Sequence, residues 1–173
     1  MLHWALSVAT GAAIQISSPG SASPPQGLIS GSYIRDEERS DDVYQALNSA
    51  IDGMSSYFHR PSFARRLRKA AAPAYAIRIS IAAGRFSINR DAHPLITVWI
   101  GGEPIELMLE GRQVFDVSAR ANGDAISLTF RADDSERTTV YRSEGQQLVT
   151  ETTIISPLLS TPIRYRVVYN RAN

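Results

Sequence analysis

The sequence predicts an all-β protein: an antiparallel up-and-down β-barrel of about ten strands, with a helix-turn-helix lid between strands one and two. Three observations carry this. From residue 74 onward, apolar and polar residues alternate with a period of two, in short runs. Turn residues separate those runs at close intervals, which makes sequential strands antiparallel neighbours. Ahead of them, two stretches with helical spacing interrupt the strand pattern. An open meander of ten strands would leave two exposed edges, and closure removes them.

The chain has 173 residues, one domain's worth, with 43% hydrophobic and 20% charged residues, which are globular rather than disordered proportions. Its net charge of +1 excludes a general polyanion binder. The absence of cysteine excludes a disulfide framework, a thiolate metal site and a Cys nucleophile.

The N-terminal "MLHWALSVATGAAIQISSPGSASPPQ" has an apolar run from Trp4 to Ile16, then small residues. It reads as a signal peptide over 1–22, cleaved after Ala22, with a linker over 23–27 and the barrel domain over 28–173. A disordered leader or an uncleaved helix is the simpler alternative. The run falls short of the roughly 20 apolar residues a membrane span needs. An exported, soluble protein is expected, periplasmic or extracellular.

"GLISGSYIRD" reads as the first strand. Ser40 is expected to cap the next helix, with Asp41 and Asp42 in its first turn. Val43, Leu47, Ala50, Met54 and Tyr57 form its apolar face. "HRP" at 59–61 breaks it, and Pro61 can open a second helix over about 61–71. There Phe63, Leu67 and Ala70 share a face, and Pro73 ends the helix. Then come "YAIRISI", "RFSIN", "LITVWI", "PIELMLE", "VFDVSAR" and "AISLTFR", followed by three strands within 138–173. Ala83-Gly84, Gly101-Gly102, Glu110-Gly111, Asn122-Gly123, Asp133-Asp134 and Glu144-Gly145 supply the turns. Arg78, Glu106, Glu151, Arg164 and Arg166 fall on the outer face, which excludes a lipid-facing barrel.

Short segments resemble the fatty-acid-binding proteins and the wider calycin group that includes lipocalins. Gly31-Ser32-Tyr33 is similar to the Gly-x-Trp start of calycin strand one. Asp42 and Tyr44 fall where that family has an acid and an aromatic entering its first helix. "GDAISLTFRADDSERTTVYR" resembles the run into the eighth strand, "LVTET" the ninth, and Tyr169-Asn170-Arg171-Ala172 the closing segment. The resemblance covers about residues 28–172. It implies a cavity for a hydrophobic ligand, and a carboxylate clamp of two arginines and a tyrosine. Arg142 takes the first arginine's place and Tyr169 the tyrosine's; Val167 stands where the second arginine would be.

Strand parity gives the candidate site. If Arg142 shares the inner face with Thr138 and Val140, then Arg142, Thr150, Thr152, Tyr165 and Tyr169 form one polar wall in an apolar cavity. A guanidinium buried without an acid costs several kcal/mol, so an anionic guest would supply its counter-charge. The simpler alternatives are an Arg142 at the rim in water and tyrosines packed as core. On the second helix Arg65, Arg66, Arg68 and Lys69 make a basic face that could touch an anionic membrane surface during ligand pickup; a solvated face or a protein contact is the plainer reading.

The expected function is binding or carriage of a hydrophobic, anionic, fatty-acid-like molecule by a monomer. The alternative is a non-catalytic structural or interaction module with a solidly packed barrel. No enzyme, nucleic-acid partner or cofactor is expected: the chain offers no phosphate loop or nucleophile elbow. His93 could serve as axial ligand in a haem-binding calycin; a plain turn histidine before Pro94 is the simpler reading.

Overall fold

Hairpin turns and alternating side chains build most of this molecule, a computed structural model of which describes residues 27–28, 30–54, 60–91, 93–109, 113–133 and 135–172. The predicted signal peptide over 1–22, most of the linker, Tyr57, His59 and the Glu110-Gly111 turn lie outside the described residues.

Ten strands form one antiparallel sheet. They are β1 (Gly31–Asp36), β2 (Ala76–Ala82), β3 (Arg85–Arg90), β4 (Ile96–Trp99), β5 (Ile105–Leu109), β6 (Gln113–Asn122), β7 (Ala125–Ala132), β8 (Ser135–Glu144), β9 (Gln147–Ile155) and β10 (Ile163–Arg171). The helices α1 (Val43–Asp52) and α2 (Arg60–Ala71) lie between β1 and β2, as predicted. Each strand pairs with its sequence neighbours except at one seam, and β1 pairs with β10. At the seam between β4 and β5, Ile100 bridges to Ala119 of β6, and Gly101 N–H donates to Ala119 O at 2.8 Å. The barrel is therefore nearly closed.

The turns at 83–84, 101–102, 123–124 and 145–146 mark the end of the barrel away from the helices. Toward that end the interior is filled. Tyr33, Ile79, Phe86, Ile88, Val117, Ile126, Leu128 and Leu148 are essentially inaccessible to solvent. Packing of this kind supplies most of the fold's stability, roughly 1.5–3 kcal/mol for each fully buried large apolar side chain.

The lid differs in detail from the sequence expectation. Asp42, not Ser40, caps α1: its carboxylate accepts from Gln45 N at 2.9 Å. Ser40 is engaged elsewhere, accepting from Val168 N at 3.0 Å. Asp41 accepts from Arg166 N at 2.7 Å and ties the helix start to β10. Helix α1 stops at Gly53, and Val43, Leu47 and Ile51 form its buried face. In α2, Ala64, Leu67 and Ala71 are buried and Ala70 is exposed, so the apolar face is rotated by one residue from the predicted one. Among the described residues, no helix is long and apolar enough to cross a membrane.

Candidate functional site

The polar wall is set by register. Ala132 lies opposite Ser135 and Glu144 opposite Gln147, so both hairpins have two-residue loops. A two-residue loop makes each even position face an odd one. Ile126, Leu128 and Phe130 point inward from β7; their partners in β8 are Tyr141, Thr139 and Arg137. The same three residues lie opposite Thr150, Thr152 and Ile154 of β9. The inner face of β8 is therefore Arg137, Thr139 and Tyr141, and the predicted parity of this strand is corrected by one residue.

Arg142 consequently stands on the outer face. Its guanidinium lies 3.5 Å from the Glu151 carboxylate, with both side chains partly in solvent. The other four predicted wall residues are brought together. Thr150 and Thr152 are buried on β9, and Tyr165 and Tyr169 on β10. Thr152 shares a hydrogen bond with Thr139 at 3.0 Å, and Thr150 donates to Val167 O at 3.3 Å. Tyr165 donates its hydroxyl to Ala71 O at 3.0 Å.

Two arginines join this wall that the sequence reading missed. Arg137 comes from the corrected face of β8. Arg90 comes from β3, which runs one residue beyond the predicted "RFSIN" and carries the inward period of Phe86 and Ile88 on to residue 90. Both guanidiniums lie 5.8 Å from the centroid of the Phe130 ring. Such a contact contributes roughly 0.5–1 kcal/mol or more once desolvated, and does not neutralise charge. Arg137 also donates through Nη1 to Ala70 O. Its Nε is buried without a partner, a deficit of about 1–3 kcal/mol for an unsatisfied donor. Neither arginine forms an ion pair with a described residue. The strand carboxylates Asp36, Glu106, Asp116, Glu136, Glu144 and Glu151 all occupy outward register positions.

Burial and the charge of Arg137 push the Arg90 guanidinium below its ordinary pKa. Burial raises the phenols of Tyr141 and Tyr169. These phenols therefore stay neutral and do not balance the arginines as phenolates. The wall offers many donors and two positive charges, and no negative charge.

The free space at the wall is about 20 Å³, lined also by Ile77, Val167 and the linker residues Ala72, Pro73 and Ala74. That holds about one water molecule. Beyond Pro73 and Val167, a more open depression of about 290 Å³ carries Arg35, Asp41, Asp42 and Tyr44; there Arg35 is paired with Glu37.

On α2, Arg65, Arg66, Arg68 and Lys69 are all exposed. Arg68 donates to Asn48 Oδ1 of α1 at 2.8 Å, which binds the two helices together. His93 is exposed in the turn after β3, and its backbone is held by Arg90 O and Asn89.

No protein-family model matches the chain, and no curated protein matches it by sequence. Solved structures do match by shape. One described as "REP1-NXSQ fatty acid transporter" superposes with a TM-score of 0.56 at 14% identity, covering 83% of this chain and 96% of that one. "Human cRBP IV" gives 0.56 at 14% identity, covering 83% and 98%. A secretory abundant heat soluble protein from Ramazzottius varieornatus gives 0.58 at 10% identity, covering 83% and 94%. At these identities the likeness is one of fold. The chain thus shares with them a nearly closed antiparallel barrel, here of ten strands with two helices between the first and second.

Proposed function

We propose that the barrel binds a hydrophobic small molecule bearing an anionic group, held by Arg90 and Arg137 beneath the α2–β2 linker. One observation carries this reading: two partly buried guanidiniums share the Phe130 ring, with no carboxylate on the described inner faces. Charge-assisted bonds from guanidinium to an anion are among the stronger contacts available to such a wall. Tyr165, Tyr169, Thr150 and Thr152 lie within the same wall and add hydroxyls. The shared fold with a fatty acid transporter supports the reading without naming the ligand. Contact of Arg65, Arg66, Arg68 and Lys69 with an anionic membrane surface during pickup belongs to the same proposal.

A second reading, a packed barrel with no guest, draws on the small free volume at the wall, about 20 Å³. Ordinary ligand pockets run to roughly 300–1,000 Å³. Native mass spectrometry of the purified protein, before and after lipid extraction, separates the two. A co-purifying amphipathic anion supports the first. No co-purifying molecule, together with no rise in melting temperature with decanoate or longer fatty acids, supports the second.

A further inference from the structure

The cavity beneath the lid has one wall that differs in kind from the rest. Ile77, Arg90, Thr139, Thr152 and Tyr165 are fixed in hydrogen-bonded ladders. The segment Ala72–Pro73–Ala74 lies between α2 and β2 and outside every ladder. A space of about 20 Å³ takes a water but not a carboxylate with a chain attached. The strands are held in ladders, so residues 72–74 are the part of the wall that yields when an anionic head group with a chain attached enters.

That segment is held at both ends. Downstream, the Asp91 carboxylate accepts from Tyr75 N at 2.6 Å and Ala76 N at 2.7 Å, which fixes the start of β2. Upstream, the last two residues of α2 are held from below: Arg137 Nη1 donates to Ala70 O, and Tyr165 Oη donates to Ala71 O. Carbonyls in a helix's last turn lack partners within the helix, and a cation there suits the helix dipole. The residues that hold the lid are thus residues of the anion-binding wall itself.

Building on the anion-binding reading, we propose that Arg137 and Tyr165 exchange the terminal carbonyls of α2 for the anionic group of the guest, so that binding releases the lid. An anion is a stronger acceptor than a neutral carbonyl, with charge-assisted bonds roughly twice as strong. Arg137 also has an unpaired Nε to satisfy. Among the described residues no hydrogen bond joins Arg90 to α2 or to residues 72–74, so Arg90 holds the guest without switching. A neutral alcohol offers no better acceptor than Ala70 O and leaves the latch closed.

Hydrogen–deuterium exchange of the full chain tests this, with decanoate and decanol as probes and calorimetry to establish occupancy. Bound decanoate is expected to speed exchange over residues 60–74 by roughly fivefold or more, a shift in opening equilibrium of about 1 kcal/mol. Decanol leaves it unchanged. Without a probe, Arg137→Gln speeds the same segment; so does Tyr165→Phe, which keeps the ring and removes only the donor. Decanoate that binds but leaves the segment unchanged or slows it overturns the exchange. So does a folded Tyr165→Phe protein whose lid exchanges like the parent. Decanoate that fails to bind at all overturns the functional reading itself, and the exchange with it.

Discussion

Arg142 and Glu151 meet diagonally across β8 and β9 on the outside of the barrel, 3.5 Å apart, with side chains 35% and 51% exposed. A pair so placed contributes about 0–1 kcal/mol. Arg142→Ala is therefore expected to shift the denaturation midpoint only slightly and to leave affinity for an anionic guest within about twofold, which is under 0.5 kcal/mol. Chemical denaturation and calorimetric titration check both. A large loss of anion affinity would return Arg142 to the binding wall.

Phe86 is fully buried toward the closed end of the barrel, its ring centroid 5.3 Å from that of Tyr141. Phe86→Ala should cost roughly 3–5 kcal/mol, because the ladders around it cannot collapse into the gap. Urea unfolding measures this. A loss below about 1 kcal/mol would mean that this end is loosely packed.

Burial pushes the phenols of Tyr33, Tyr141 and Tyr169 above the ordinary tyrosine range. A raised folded pKa contributes stability that is complete below the unfolded value of about 10 and is lost as pH rises through the folded values. An alkaline titration should therefore show a class of tyrosines that ionises only as the barrel's circular dichroism collapses. Complete ionisation of every tyrosine while the dichroism stays native would contradict their burial.

The exposed Arg65, Arg66, Arg68 and Lys69 give α2 a basic outer face. Each such residue near an anionic surface contributes about 1 kcal/mol, and salt screens the attraction over about 10 Å at 0.1 M. Co-sedimentation with phosphatidylserine vesicles should fall as salt rises, and fall again when Arg65 and Arg66 are both changed to Gln. Absent or salt-independent association would leave α2 as a lid alone.

The barrel and its lid were legible because alternation and turn chemistry recur along the whole second half of the chain. The wall was legible only in part. "ERTTVYR" has polar residues on both faces, so its own pattern does not say which points inward. The hairpins do: with two-residue loops on both sides, even positions inward on β7 and β9 require odd positions inward on β8. That rule applied to Asp133-Asp134 and the turn after Glu144 would have chosen Arg137 over Arg142. Arg90 was missed because the strand was ended one residue early at Asn89. The helix start moved from the expected cap at Ser40 to Asp42. Ser40 and Asp41 are committed to β10, which leaves Asp42 to accept from Gln45 N.

If Arg90 and Arg137 form the site proposed for an anionic amphipath, Arg90 is the residue that tests it with least disturbance to the lid. The measurement is calorimetric titration of the parent and Arg90→Gln proteins with decanoate and with decanol. Removing a hydrogen bond to a charged group costs about 1.5–3 kcal/mol, so decanoate affinity should fall roughly ten- to a hundredfold while decanol is unaffected. Equal affinity of Arg90→Gln and the parent for decanoate, or equal losses for decanoate and decanol, would contradict the account.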